Sequence, residues 1–353
     1  MNQSMRALAS ILALMIVSLP CHADLPSYAP VVAMHADVSE RVTEEQFDGL
    51  LQDADRFQRS QERFPDGRWK LAVFYRGLRD GFLKGGIQES DWTRYQSKLL
   101  ALTNRYPKSS NAWLMLAAMY DGHAWAVRGG GYANTVSEEG NARFHALLEQ
   151  SREVLERHKA VTSGNPQWYA LRINIGGSAG DDPAKLDAVF SEALRKSPNY
   201  QQTWFSRLHF LTPKWGGTTE TMVAFITRAA RFPSPTDGTG LTARLLWFAE
   251  GDGYPVLVEQ PGIDWAVVKK SYDDVLDRFP VDFNAQHFAV EACFGKFDKT
   301  EATRLVARVK TVPTEEDNSR EALLYRTCVA WTQGKIPESV LHPSTAKPRV
   351  DLH

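Results

Sequence analysis

Trp92 to Tyr120 read WTRYQSKLLALTNRYPKSSNAWLMLAAMY, and this stretch decides the fold. Its first half places Trp92, Tyr95, Leu99, Leu102 and Tyr106 at spacings of three and four, so they share one face of a helix. Arg105-Tyr106-Pro107 then stops that helix, because proline disfavours helical geometry at the residue before it and has no N–H for the preceding turn. The basic side chain suits the negative end of the helix dipole. A second apolar helix follows from Asn111 to Tyr120, with Trp113 six residues beyond the proline, placed to pack back on the first helix and close the pair.

The same stop recurs as Arg63-Phe64-Pro65, Arg231-Phe232-Pro233 and Arg278-Phe279-Pro280, with Lys196-Ser197-Pro198 as a variant and Asn165-Pro166 and Val312-Pro313 as looser equivalents. Successive prolines lie 42, 59, 32, 35, 47 and 33 residues apart. Spacings of roughly 30 to 50 residues belong to arrays of helix pairs. Trp265, Val268, Tyr272, Val275 and Phe279 repeat the one-face stripe, and Phe144, Leu147, Ser151, Val154 and Leu155 form a weaker one. Second helices are expected over 201–211 and 282–294, with Trp204 again six residues past its proline and Trp69 and Trp168 slightly nearer theirs. Helix starts are marked by Thr43 with Gln46 as a capping box, by Asp182-Pro183, and by Thr218 and Thr300. Trp168 to Ile175 alternates like a strand, but its place in the repeat predicts a helix. The expected fold is therefore all-α, a tetratricopeptide-like α-α superhelix of stacked helical hairpins with long loops between repeats.

The chain is 43% hydrophobic and 24% charged, which fits a globular protein and argues against disorder along most of its length. A net charge of −1 without long runs of one sign excludes the concentrated basic face that nucleic acid or an anionic membrane requires. Arg6, an apolar run from Ala7 to Leu19, and the exit Cys21-His22-Ala23 have the layout of a secretory signal peptide, and the run is too short to span a bilayer. Cleavage after Ala23 and a periplasmic or secreted location are expected. Cys21 is a poor lipidation site, with Leu19-Pro20 before it. The segments expected are a signal peptide at 1–23, an extended stretch at 24–42, the helical-repeat domain at 43–333 and an extended proline-containing tail at 334–353. Cys293 and Cys328 stand 35 residues apart, near one repeat length, and read equally well as a disulfide or as two buried thiols.

Two long loops interrupt the array. One is Trp125-Ala126-Val127-Arg128-Gly129-Gly130-Gly131-Tyr132, and the other is Pro213-Lys214-Trp215-Gly216-Gly217. Together with Gly67-Arg68-Trp69-Lys70-Leu71, they resemble a bacterial family known only as a domain of unknown function, with tetratricopeptide-like helical repeats. The likeness covers roughly residues 45 to 330. It implies the fold and an exported location, and no activity.

The glycines of the first loop let backbone approach a ligand, with Trp125, Arg128 and Tyr132 flanking it and Asp121 and His123 just upstream. The alternative is that the glycines only turn the chain while Arg128 and Tyr132 lock the loop. Trp215 and Lys214 form a second candidate contact, or a plug between repeats. No Gly-Lys-Ser/Thr follows the glycine loop, so it is not a phosphate loop. Gly176-Gly177-Ser178-Ala179-Gly180 matches a nucleophile elbow formally, but that motif needs a strand before it and a helix directly after. We read the segment as a flexible loop, with a hydrolase using Ser178 as the least favoured function. Scattered histidines, with neither His-Glu-x-x-His nor Cys-x-x-Cys, give no metal or cofactor expectation. The favoured function is a protein or peptide partner held on a concave face, with a small-ligand or glycan binder using the 125–134 loop as the alternative.

Overall fold

The computed structural model describes residues 28–131, 135–254, 257–314, 317 and 319–341. These form two compact units, one spanning Pro30–Phe279 and the other comprising the chain from Pro280 onward with the residues before Pro30. The described residues are all-α, and their only β pairings are the isolated bridges Arg63–Trp69 and Ser234–Gly238.

In the larger unit the helices are α1 (Ala29–Thr43), α2 (Phe47–Ser60), α3 (Lys70–Gly85), α4 (Glu89–Arg105), α5 (Ser110–Arg128), α6 (Glu138–Arg157), the single turn α7 (Lys159–Thr162), α8 (Pro166–Ala179), α9 (Pro183–Lys196), α10 (Gln201–His209), α11 (Thr219–Ala229), α12 (Leu241–Gly251) and α13 (Trp265–Arg278). The repeat is α2/α3, α4/α5, α6/α8, α9/α10 and α11/α12. First helices are amphipathic, burying a single stripe such as Phe47, Leu50, Leu51, Ala54 and Phe57 in α2. Second helices are buried nearly all round: α8 is covered continuously from Gln167 to Ile173, and α5 from Ser110 to Ala124 save Trp113. A helix apolar on every side belongs inside, so the second helices form the inner layer.

The proline stop works through a hydrogen bond as well as through sterics. Trp113 Nε1 donates to the Pro107 carbonyl at 3.0 Å, and Trp204 Nε1 donates to the Pro198 carbonyl at 3.1 Å. The six-residue spacing thus lets an indole satisfy a carbonyl freed by the turn while its ring seals the pair.

The turn between α2 and α3 does more. Its bridge, with Lys70 N donating to the Glu62 carbonyl and Phe64 N to the Arg68 carbonyl, makes a small hairpin. Arg63 forms a two-pronged ion pair with Asp237 (2.5 and 3.0 Å), Trp69 Nε1 donates to the Asn199 carbonyl, and Arg244 Nη2 donates to the Asp66 carbonyl. The first pair therefore meets the turns of the fourth and fifth. Gly67 sits at φ +91°, and a Cβ there would lie 2.4 Å from the Arg244 guanidinium, so the hairpin tip tolerates only glycine. A polar network runs beside it: Asn165 Nδ2 and Tyr75 OH both donate to Asn111 Oδ1, and Asn111 Nδ2 donates to Asp55 and Gln58.

The smaller unit contains α14 (Asp282–Phe294), α15 (Lys299–Val306) and α16 (Arg320–Thr332), mutually packed. Cys293 on α14 and Cys328 on α16 are disulfide-bonded with their Cα atoms 5.8 Å apart.

Several local expectations are corrected. Residues 29–42 are helical, because Val31, Val38 and Val42 recur on one face and are buried. Thr43 ends α1 instead of capping α2, its hydroxyl donating to the Glu40 carbonyl. Asp298, not Thr300, caps α15. Gly176–Ala179 is the last turn of α8 and not a loop; a Cβ on Gly177 would come within 2.4 Å of the Phe210 ring, so the glycine permits α8 and α10 to approach. Ser178 therefore lies within the last turn of α8, without the preceding strand that an elbow needs. Of the expected extended tail, Glu338–Val340 is a short 3-10 turn and Leu341 is buried; residues 1–27 and 342–353 lie outside the described residues. No described helix is long and apolar enough to cross a membrane.

Asp237→Ala should lower the unfolding free energy by about 3–5 kcal/mol, since it strands a buried guanidinium. Denaturant titration checks this, and a loss under about 1 kcal/mol would show that the pair is not a fastening of the array.

Candidate functional site

Trp125 lies in the final turn of α5, and Arg128 is the last residue of that helix. The Arg128 guanidinium sits 5.2 Å above the Trp125 ring and 5.8 Å above Phe144, and its Nη1 donates to the Gly129 and Gly131 carbonyls. Trp215, on the 3-10 turn Pro213–Trp215, meets Trp125 edge-on at 6.4 Å and packs on Phe210 and His209 at 4.8 and 5.5 Å. The two interrupting loops are thus brought together, as Trp125, Arg128 and Trp215, into one half-buried cluster. Its members spend themselves largely on each other: Arg128 covers the rings and ties its own loop, which is how a cationic side chain closes a helix C-terminus. Lys214 is exposed on the same turn. Tyr132 lies outside the described residues.

Asp121 and His123 do not join this cluster. Asp121 is buried, with Arg79 Nε 3.7 Å away, and burial pushes its carboxyl above the ordinary range while Arg79 opposes the rise. His123 stacks on Trp92 at 4.4 Å and faces Glu89, which also pairs with Arg143. Phe248, beyond the second loop, stacks on Phe205 at 4.9 Å, and Asp252 accepts from His209 Nδ1 at 2.8 Å, with the proton placed on that nitrogen; both contacts join α12 to α10. Among the described residues no group of three or more His, Cys, Asp or Glu is arranged to hold a metal.

Open space lies elsewhere. A small polar cavity of about 250 Å³ beside the hairpin is lined by Gln58, Gln61, Trp69, Lys196, Asn199 and Tyr200, but the Lys196 ammonium is already engaged by Glu192 at 3.1 Å. The larger space, about 790 Å³, is a groove along α11. The Thr218 cap starts that helix, its Oγ accepting from Thr221 N while Thr221 Oγ accepts from Thr218 N. Met222, Phe225 and Ile226 face the core. Val223, Ala224, Thr227, Arg228 and Arg231 line the groove, and the turn at Gln260–Gly262 forms its far wall, held by Thr227 Oγ donating to the Gly262 carbonyl at 3.1 Å. Arg228 and Arg231 are both exposed, and among the described residues neither has a carboxylate partner.

Reading the sequence for glycine loops and aromatics did not find this groove. A signal was present: Met222-Val223-Ala224-Phe225-Ile226 is a continuous apolar run, wider than the single stripe by which the other first helices bury themselves.

No family model matches the chain, and neither a curated protein nor a solved structure matches it.

Burial lowers the His123 imidazole below its ordinary value of 6.5, outweighing the upward pull of Glu89, with Arg143 adding to the depression. The folded state therefore binds this proton less readily than the unfolded chain. Stability is complete above pH 6.5 and declines as pH falls from there through the lower folded value. Melting temperatures between about pH 7.5 and about pH 5.5 should fall less steeply in His123→Gln than in the natural protein; identical slopes would mean that the buried imidazole is not responsible.

Proposed function

We propose that the protein is an exported helical-repeat module that holds a protein or peptide partner, and that the partner lies along α11. The observation that carries this reading is the groove of about 790 Å³ beside Val223 and Ala224. Apolar side chains on the solvent side of a helix whose other face is already buried need a partner to leave water. The chain's own hairpin supports the choice of place: it already occupies the turns at Asn199 and Asp237, whereas the groove along α11 is open. The Trp125–Trp215 cluster is closed on itself by Arg128, which favours a structural role for it.

The reading is tested by placing a photo-crosslinking p-benzoylphenylalanine at Ala224 and, as a control, at the exposed Ala101 of α4. Irradiation of cells should give a discrete adduct from position 224 alone; equal or absent adducts at both positions would remove the groove as the contact surface. Export rests on the Met1–Ala23 segment. The protein recovered from the periplasm or medium should have an intact mass lacking those 23 residues, whereas a full-length cytoplasmic protein would refute the location.

A further inference from the structure

The chemistry of the groove narrows what occupies it, and this step rests on the partner-binding reading above. The groove has two parts. Its floor is apolar, made of Val223 and Ala224 with Pro261 and Gly262 opposite. Its end at the C-terminus of α11 carries Arg228 and Arg231, three residues apart and both lining the same space. Most other cationic side chains near the repeat turns are spoken for: Arg63 by Asp237, Arg172 by Glu156 and Asp181, Lys159 by Glu192, and Arg207 by Asp187. Arg228 and Arg231 are exceptions, with Arg228 resting over Phe190 and Phe232 at 5.8 and 5.6 Å. A guanidinium held over rings keeps its planar fork free at the edge, the geometry that accepts a carboxylate. Glu220 stands at the opposite end of the groove, beside the Thr218 cap, so the groove is basic at one end and acidic at the other.

We infer that the groove takes a peptide segment whose apolar side chains cover Val223 and Ala224 and whose carboxylates, gathered at one end, meet Arg228 and Arg231. The arginines supply preference and orientation, and the floor supplies most of the burial.

The probes are three rhodamine-labelled hexapeptides, each a leucine run ending in a pair of glutamates, glutamines or lysines, and their binding to the full mature protein is followed by fluorescence anisotropy at low salt. The glutamate peptide should bind about tenfold more tightly than the glutamine peptide, as two exposed ion pairs allow. Arg228→Gln with Arg231→Gln should erase that difference while leaving the glutamine peptide's affinity in place. Val223→Asp should weaken all three, and circular dichroism confirms that each variant is folded. If the glutamate and glutamine peptides bind equally, or if the preference survives the double arginine variant, the acidic-partner inference is overturned and the groove remains a docking surface. If no peptide binds the natural protein and position 224 also yields no adduct, the partner-binding reading falls with it.

Discussion

Everything in the larger unit depends on a hairpin that reaches across the array. Helix pairs stacked in sequence contact mainly their neighbours, and their curvature follows from the small rotation at each step. Here the α2–α3 turn is fastened to the α11–α12 turn by Arg63 and Asp237, both nearly buried, and to the start of α10 through Trp69. A buried ion pair is costly to desolvate and favours one geometry over others. The pair therefore holds the turn of the first helix pair against that of the fifth.

The remaining architecture is built from one repeated local device. A basic residue and a proline end the outer helix, and an indole six residues later reaches back to the proline's carbonyl at Trp113 and Trp204. The device joins backbone chemistry to packing, since the ring that seals the pair also satisfies a freed acceptor. Where the spacing differs the indole serves another acceptor: Trp168 donates to the Leu155 carbonyl and Trp69 to the Asn199 carbonyl. The first contact stays within the α6/α8 pair, and the second joins the array across pairs.

The candidate site was only partly legible before the structure. Trp125, Arg128 and Trp215 do converge, and Arg128 lies over the rings and donates to its own loop. The groove along α11 was visible as an over-wide apolar run, but its walls come from Gln260–Gly262, more than thirty residues later. A helix's second apolar face shows in sequence; whether another segment covers it does not. The pairing of Cys293 with Cys328 was likewise one of two open readings until α14 and α16 were seen side by side.

By itself the sequence determined the helix class, the stops at Arg105-Tyr106-Pro107, Lys196-Ser197-Pro198 and Arg278-Phe279-Pro280, and two of the four expected caps, Asp182 and Thr218. These are local matters: three- and four-residue periodicity, the missing proline N–H and side-chain oxygens close to free amides act within a turn or two of the chain. Only the tertiary structure decided that Gly67 admits the hairpin beneath Arg244, that Gly177 lets α8 meet Phe210, and that Arg63 finds Asp237. Those contacts depend on where distant segments lie. The same residue types recur throughout the chain, and their placement in the fold selects which of them become partners and which, like Arg228 and Arg231, remain available.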